Sequence, residues 1–363
     1  MMRSYILARY VIQAVFWAML GAVVGLWLLQ MVFAYLSELE NIKESYTLVD
    51  ALKFIAYRSP YFLVQFIPTG ALLGTVIGLG LLANNSELVS MQASGVSKSG
   101  IIGWAMMPAS LFVAISLITS QFVLPITNQK ADAVSVGKPI DRLASVNGYW
   151  SVSEHDGVQD IIYISYADSE GGLGEVKSYT LHEGSLIAAM RAGSGSHTNA
   201  KNDTRYTWQL NDVNAIDVGV KGVSQNRERT TTLTLPIAPS DVHLLTRKPD
   251  DMSLTDLYAH RQLMRHQGVP SLRHELIFWQ KLLSPFAVLS LVLVASSFVF
   301  GSLRSQGLGL RIVLALLTGL LFSYLTDLMG FIALAAKLSP FMMSLLPIVI
   351  SALAGMYLLQ RRR

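Results

Sequence analysis

Glu87 is the side chain best placed to act on another molecule, and the chemistry open to it is charge pairing. It stands in Asn84-Asn-Ser-Glu-Leu-Val-Ser-Met-Gln-Ala-Ser-Gly95-Val96, whose punctuation predicts a short helix. Asn85 or Ser86 can cap the first free N–H groups, and Glu87 complements the positive end. Gly95 can take the left-handed conformation that lets Val96 close on Met91. Such a helix is either an interfacial turn, with Glu87 serving only the helix dipole, or a docking element that a partner grips and moves. In the second reading Leu88, Met91 and Gly95 act with Glu87.

Covalent and metal chemistry find little support. The seven histidines, His155, His182, His197, His243, His260, His266 and His274, include no H-E-x-x-H pair, and the chain has no cysteine, so no metal centre or thiolate is predicted. Gly193-Ser-Gly-Ser-His197 lacks the G-x-S-x-G spacing of a nucleophile elbow and reads as a loop tip. No G-x-x-x-x-G-K-[ST] phosphate loop occurs, so by this signature the chain is not an ATPase. It is expected to be no enzyme and to bind no cofactor of its own.

The elements that must position Glu87 follow from composition. Hydrophobic residues make up 52% of the 363 and charged residues 14%, against about 25% charged in soluble domains. The interval from Lys130 to Arg273 holds 15 of the 28 Lys and Arg and 17 of the 24 Asp and Glu. Elsewhere, uncharged runs cover Tyr10 to Ser37, Ser59 to Ser86, Ser99 to Gln129, Leu282 to Leu303 and Leu338 to Gln360. Each exceeds the roughly 20 residues that cross a bilayer as helix. A fifth span in chain order, about 310 to 330, sets Asp327 near one membrane face. The first run is too long for the apolar core of a secretory signal and is expected to be retained.

Short flanks carry eight basic residues on one side (Arg3, Arg9, Lys98, Arg304, Arg311 and Arg361 to Arg363) and four on the other (Lys43, Lys53, Arg58, Lys337). Both termini are therefore expected in the cytoplasm and the large insertion outside it, in the periplasm of a Gram-negative cell. The net charge of +4 is a topology signal, and no nucleic acid is an expected partner.

The expected fold class is membrane α-helical, six spans with an inserted all-β, jellyroll-like domain. Residues 1–129 hold three spans and the helix at 84–95, residues 130–252 the β domain, and residues 253–363 a connecting helix and three more spans. Predicted strands cover Ile161 to Tyr166, Val176 to His182, Arg205 to Leu210 and Thr230 to Leu235, with Gly171-Gly172 as a turn. Tyr206, Trp208 and Leu210 alternate with Thr207 and Gln209, giving one apolar face. The domain can be ballast, a partner module or a trough for an apolar ligand. Ser253-Leu-Thr-Asp256 resembles a capping box and opens a helix with Leu254, Leu257, Tyr258 and Met264 on one side, stopped by Gly268 and Pro270. Gly21-x-x-x-Gly25 and Gly70-x-x-x-Gly74-x-x-x-Gly78 permit close helix approach, within the chain or to a partner. Pro68 and Asp327 are costly in a span and ask for a reason.

The order of parts, with Ser86-Glu-Leu-Val-Ser-Met-Gln-Ala-Ser-Gly95, Pro68-Thr-Gly-Ala-Leu-Leu-Gly74, Gly148-Tyr-Trp150, Met252-Ser-Leu-Thr-Asp-Leu257 and Phe300-Gly-Ser-Leu-Arg-Ser305, resembles the lipopolysaccharide export permeases of the LptF/LptG family over nearly the whole chain. Residues Glu87 to Gly95 and Phe300 to Gly309 look more like its LptG branch, with an LptF-type subunit as the alternative. The resemblance implies a bacterial inner-membrane permease paired with an LptF-like subunit on an LptB-like ATPase dimer, which uses ATP and Mg. It implies that Glu87 contacts that ATPase and that the first and fifth spans form lateral gates for lipopolysaccharide. It also implies that the β domain hands the lipid to LptC-like and LptA-like rolls. Trp27, Phe33, Phe66, Tyr324 and Asp327 are then expected at the gates or cavity, and Lys43, Lys53 and Arg58 at the lipid headgroup.

The family commonly places a basic cluster at the outer end of the first span. Ala34, Glu38, Glu40 and Asn41 occupy that region here. Either phosphate recognition has moved to Lys43, Arg58 or the paired subunit, or the glycolipid differs in headgroup charge. Two other classes stay in view. A secondary transporter should show ionisable residues deep in its spans, and a membrane scaffold would need no ATPase.

Overall fold

The structure is a computed structural model that describes residues 2–42, 46–136, 149–155, 157–165, 172–202, 205–219, 222–235, 247–266, 271–301 and 306–360. Helices α1 (Met2–Glu38), α2 (Leu48–Asn84), α3 (Glu87–Ala93), α4 (Lys98–Ile118) and α5 (Leu124–Val136) precede strands β1 (Tyr149–His155), β2 (Val158–Ile164), β3 (Val176–His182), β4 (Ser185–Asn202), β5 (Arg205–Gly219) and β6 (Gly222–Leu235). Helices α6 (Leu254–His266), α7 (Leu272–Phe300), α8 (Leu308–Ala335) and α9 (Pro340–Gln360) follow. A π-helical turn, Thr119–Val123, joins α4 to α5, so the third span runs on from Lys98 to Ser135.

Among the described residues, six helices are long and apolar enough to cross a membrane, the five uncharged runs and the span around 310 to 330 that the sequence predicts. The first two have 37 residues each, about 55 Å of helix against about 30 Å of hydrocarbon. They therefore extend beyond the uncharged stretches, and α2 begins early enough to include Asp50, Lys53 and Arg58. Thr47 and Asp50 start it: Thr47 Oγ1 donates to Asp50 Oδ2 at 2.7 Å and accepts from Asp50 N at 3.3 Å. In α8 the helix continues eight residues past Asp327.

The chain divides into two compact units, one of Met1–Asn41, Arg58–Pro125 and Ser253–Arg363, the other of Ile42–Tyr57 and Ile126–Met252. In the first, glycine decides how the first two spans meet. Val15, Met19 and Val23 of α1 lie against Gly78, Gly74 and Gly70 of α2, and a Cβ on any of the three would run into the α1 backbone. Small residues four apart let the helices touch main chain to main chain. Gly21 and Gly25 face open space, so only the α2 series is used within the chain. Pro68 stays inside the continuous helix. Phe16 stacks on Phe112 at 5.9 Å. Between α7 and α9, Gly355 rests on the backbone of Leu293 and Val294, and Ser290 Oγ meets Ser351 Oγ at 2.7 Å.

Helix α6 docks on the start of α7. Ser253 Oγ accepts from Asp256 N at 3.0 Å, the predicted cap. Gln121, carried by the π-turn, accepts from Leu254 N at 3.2 Å and donates to Thr255 Oγ1 at 2.8 Å. The inward stripe is Leu257, His260 and Met264, at helical spacing. Tyr258, expected on that side, is 59% exposed, because one residue after Leu257 is 100° around the helix. His260 stacks on His274 with centroids 3.6 Å apart, and burial pushes its imidazole down to about 4. Arg261 pairs with Glu275 at 2.7 Å and lies over Phe278 and Trp279. Gly268 and Pro270, the expected stop, lie outside the described residues.

In the second unit the described strands form one antiparallel sheet in the order β1-β2-β3-β4-β5-β6, each paired with its neighbour in sequence. The inserted all-β domain is there. Strand β3 has the predicted ends, and β5 carries the expected alternation, with Trp208 and Leu210 fully buried and Gln209 exposed. Gly193 to His197 is no loop tip: it lies within β4, with Gly195 opposite Leu210 and bridged to Leu173. Leu210 and Leu173 cover the Gly195 face so closely that a Cβ would come within 3.0 Å of the Leu210 side chain. Glycine here makes room for neighbours, and no turn is needed. Tyr166, Gly171 and Gly148 lie outside the described residues.

Candidate functional site

The segment around Glu87 folds as the predicted short helix, with an unexpected start and the expected end. Ser86 sits in the left-handed region at φ 59° and makes no side-chain cap. Asn85 does not cap the backbone either, since its Nδ2 donates to Glu87 Oε1 at 3.2 Å. At the other end Gly95 has φ 96°. Gly95 N bonds Gln92 O at 3.0 Å and Val96 N bonds Met91 O at 3.1 Å, the paired bonds of a Schellman ending. Ser97 then caps α4, accepting from Gly100 N at 3.1 Å.

Spacing sorts the faces of α3. Leu88 and Met91, three apart, are 2% and 5% exposed and belong to one core cluster with Val11, Val15, Ile101 and Phe300. They anchor the helix to the spans. Glu87 and Gly95 line a groove of about 940 Å³ with Ile6, Tyr10, Val96 and Trp104, and Val89 stands 46% exposed. A second groove of about 460 Å³, on the side of Val89 and Gln92, reaches Phe300 and the buried Arg311.

Tyr10 of α1 lines the same groove as Glu87, a neighbour that sequence spacing gave no means of finding. One neutral donor, Asn85, aims the charged group. A carboxylate offers about four acceptor positions, so others remain for a cation from outside. Chemically the site can form a charge-assisted hydrogen bond and transmit force through its buried anchors.

The other predicted residues take separate places. Trp27 Nε1 donates to Ser59 O at 3.0 Å, tying α1 to α2, and Phe66 is half-buried in α2. Phe33 is 59% exposed on α1. Tyr324 and Asp327 are exposed on α8, as are Leu321, Leu328 and Phe331. The first and fifth spans are the least packed of the six, with 22% and 17% of their apolar windows buried against 67% in the second. Among the headgroup candidates, Lys53 pairs with Asp50 at 3.5 Å, Arg58 lies over the Tyr61 ring at 4.8 Å, and Lys43 lies outside the described residues. Among the described residues no group of three His, Cys, Asp or Glu is placed to hold a metal ion.

The lipopolysaccharide export system permease LptF/LptG family matches residues 9–361. The chain is similar to the lipopolysaccharide export system permease protein LptG of Haemophilus influenzae, with 27% identity over 98% of this chain and 99% of that protein. It is equally similar to LptG of Escherichia coli strain K12, with 27% identity over 98% of each.

Proposed function

We propose that this chain, which belongs to the lipopolysaccharide export system permease LptF/LptG family, is an LptG-type subunit that pairs with an LptF-like permease on an LptB-like ATPase dimer. It lifts lipopolysaccharide from the outer leaflet of the inner membrane into a cavity shared by the two permeases. The observation that carries this is α3: a short helix anchored by Leu88 and Met91 and presenting a carboxylate held by Asn85 at an open groove. Closure of the ATPase pushes on α3, and the buried anchors pass the push to the spans. ATP and Mg stay with the partner.

The termini and α3 face the cytoplasm in this reading, following the basic flanks, and the β domain faces the periplasm. The loosely packed first and fifth spans supply gate faces that a second permease completes, with Phe33, Tyr324 and Asp327 exposed on them. Trp27 and Phe66 hold the cavity side of α1 and α2. Arg58 with Lys43 and Lys53 meets lipid phosphate, and the β domain passes acyl chains to LptC-like and LptA-like rolls.

The test is purification from the native membrane. An ATP-hydrolysing subunit should co-purify, and its rate should respond to added lipopolysaccharide. A chain that purifies without any ATPase would instead indicate a secondary transporter or scaffold.

A further inference from the structure

We infer that one face of the β sheet carries a binding row for a phosphorylated saccharide, the anionic headgroup of the exported glycolipid, with Trp150 and Tyr163 as its stacking platform and Lys177, Arg191 and Arg227 as its cations. The inference rests on the proposed carriage of lipopolysaccharide and adds where its headgroup meets the β domain.

The row follows from the register of the strands. Trp150 pairs with Tyr163, Tyr163 with Lys177, Lys177 with Arg191, Arg191 with Asn214 and Asn214 with Arg227, so one residue from each strand stands in line across the sheet. Directly paired residues share a face, and neighbouring strands lie about 4.8 Å apart, which makes the row about 24 Å long. The contacts agree: the Trp150 and Tyr163 rings lie 4.6 Å apart, and Lys177 Nζ is 5.7 Å from the Tyr163 centroid. Two residues further along the strands, Ile161, Tyr179, Ala189 and Ile216 pair in the same way. An apolar line therefore runs beside the polar one on the same face.

The chemistry of the row fits an anionic sugar. Trp150 is 58% exposed and offers a flat apolar ring to the C–H face of a saccharide. Lys177 and Arg191 share one carboxylate, Glu175, which leaves positive charge in excess. Arg227 pairs with Asp212 at 3.2 Å. The two arginine side chains are 69% and 73% exposed, and ion pairs this open are worth little. A phosphate therefore displaces the carboxylate at small cost and engages the guanidinium through two parallel hydrogen bonds. The face matches a molecule whose phosphates and acyl chains lie side by side.

The experiment uses the full chain in nanodiscs of zwitterionic phospholipid and measures binding of lipopolysaccharide before and after phosphatase treatment. Arg191→Gln should weaken binding of the phosphorylated form about ten-fold, the factor of one charge-assisted hydrogen bond, and leave the dephosphorylated form unchanged. Glu175→Gln removes the competing carboxylate and should tighten binding about three-fold, which a damaged fold would not do. Wild-type affinity in both variants overturns the inference while leaving glycolipid carriage in place. Loss of a co-purifying periplasmic protein from Arg191→Gln, with lipopolysaccharide binding intact, overturns it too and assigns the row to that protein. A wild-type chain that binds no lipopolysaccharide overturns the carriage reading and the inference with it.

Discussion

Gly74 of the second span lies directly against the Cα of Met19 in the first. With Gly70 on Val23 and Gly78 on Val15, this contact sets the separation of the two helices.

Gly74→Ala should therefore destabilise the purified chain in detergent by about 1–3 kcal/mol, the usual range for overpacking. Thermal unfolding followed by tryptophan fluorescence checks it. Gly25→Ala, where a Cβ meets nothing, is the control and should leave the midpoint unchanged.

Glu87→Lys should abolish ATP-driven lipid release while the protein still accumulates in the membrane, since the side chain lies at a groove and not in the core. The reversed charge repels the cation that the carboxylate attracts. Normal release by this variant, with the ATPase unaltered, would sink the coupling role.

Gly95→Val should fray α3, because a β-branched residue resists the φ of 96° that the Schellman bonds require. We expect a loss of about 1–2 kcal/mol, seen as faster amide exchange from Ser90 to Val96 and weaker ATPase association. Gly95→Asn should be milder, since asparagine tolerates the left-handed region.

His260 makes the α6 junction sensitive to acid. Its folded value is near 4 and its ordinary value 6.5, so between these the unfolded chain binds the extra proton. Its contribution is complete above pH 6.5, is lost as pH falls towards 4, and changes no further below that. The groups facing it are the stacked His274, which contacts Ser271, and the nearby Arg261–Glu275 pair. After discounting for partial solvent screening, the loss is about 2 kcal/mol. Melting midpoints across that range should slope in the native chain and slope less steeply in His260→Phe.

Five of the six spans were readable because twenty uncharged residues in a row have few other uses, the remaining one because its apolar run resumes beyond Asp327, and the end of α3 because Gly95 and Val96 carry their geometry in their types. Strand β4 was hidden because Gly193-Ser-Gly-Ser reads as a turn until Leu173 and Leu210 are seen to cover it. Asn85 looked like a cap, and only the folded helix shows it turned onto Glu87. That Tyr10 lines the groove of Glu87 could not have been found. The tyrosine lies 77 positions before Glu87 in an apolar run with no periodic signal to separate it from Tyr5 or Trp17. The inward side of α6 was half right, Leu257 and Met264 being on it and His260 taking the place given to Tyr258.

The π-turn at Thr119–Val123 also constrains how the third span can change over evolutionary time. Such a turn is equivalent to one extra residue inserted in an α-helix. Deleting any one residue there would restore a regular helix, yet would swing the side chains beyond it by about 100° relative to those before. Gln121 would then be carried away from Leu254 and Thr255, and the start of α6 would lose its brace. Sequence length in this stretch should therefore drift far less than residue identity, and a relative shorter by one residue should carry a different brace for its connecting helix.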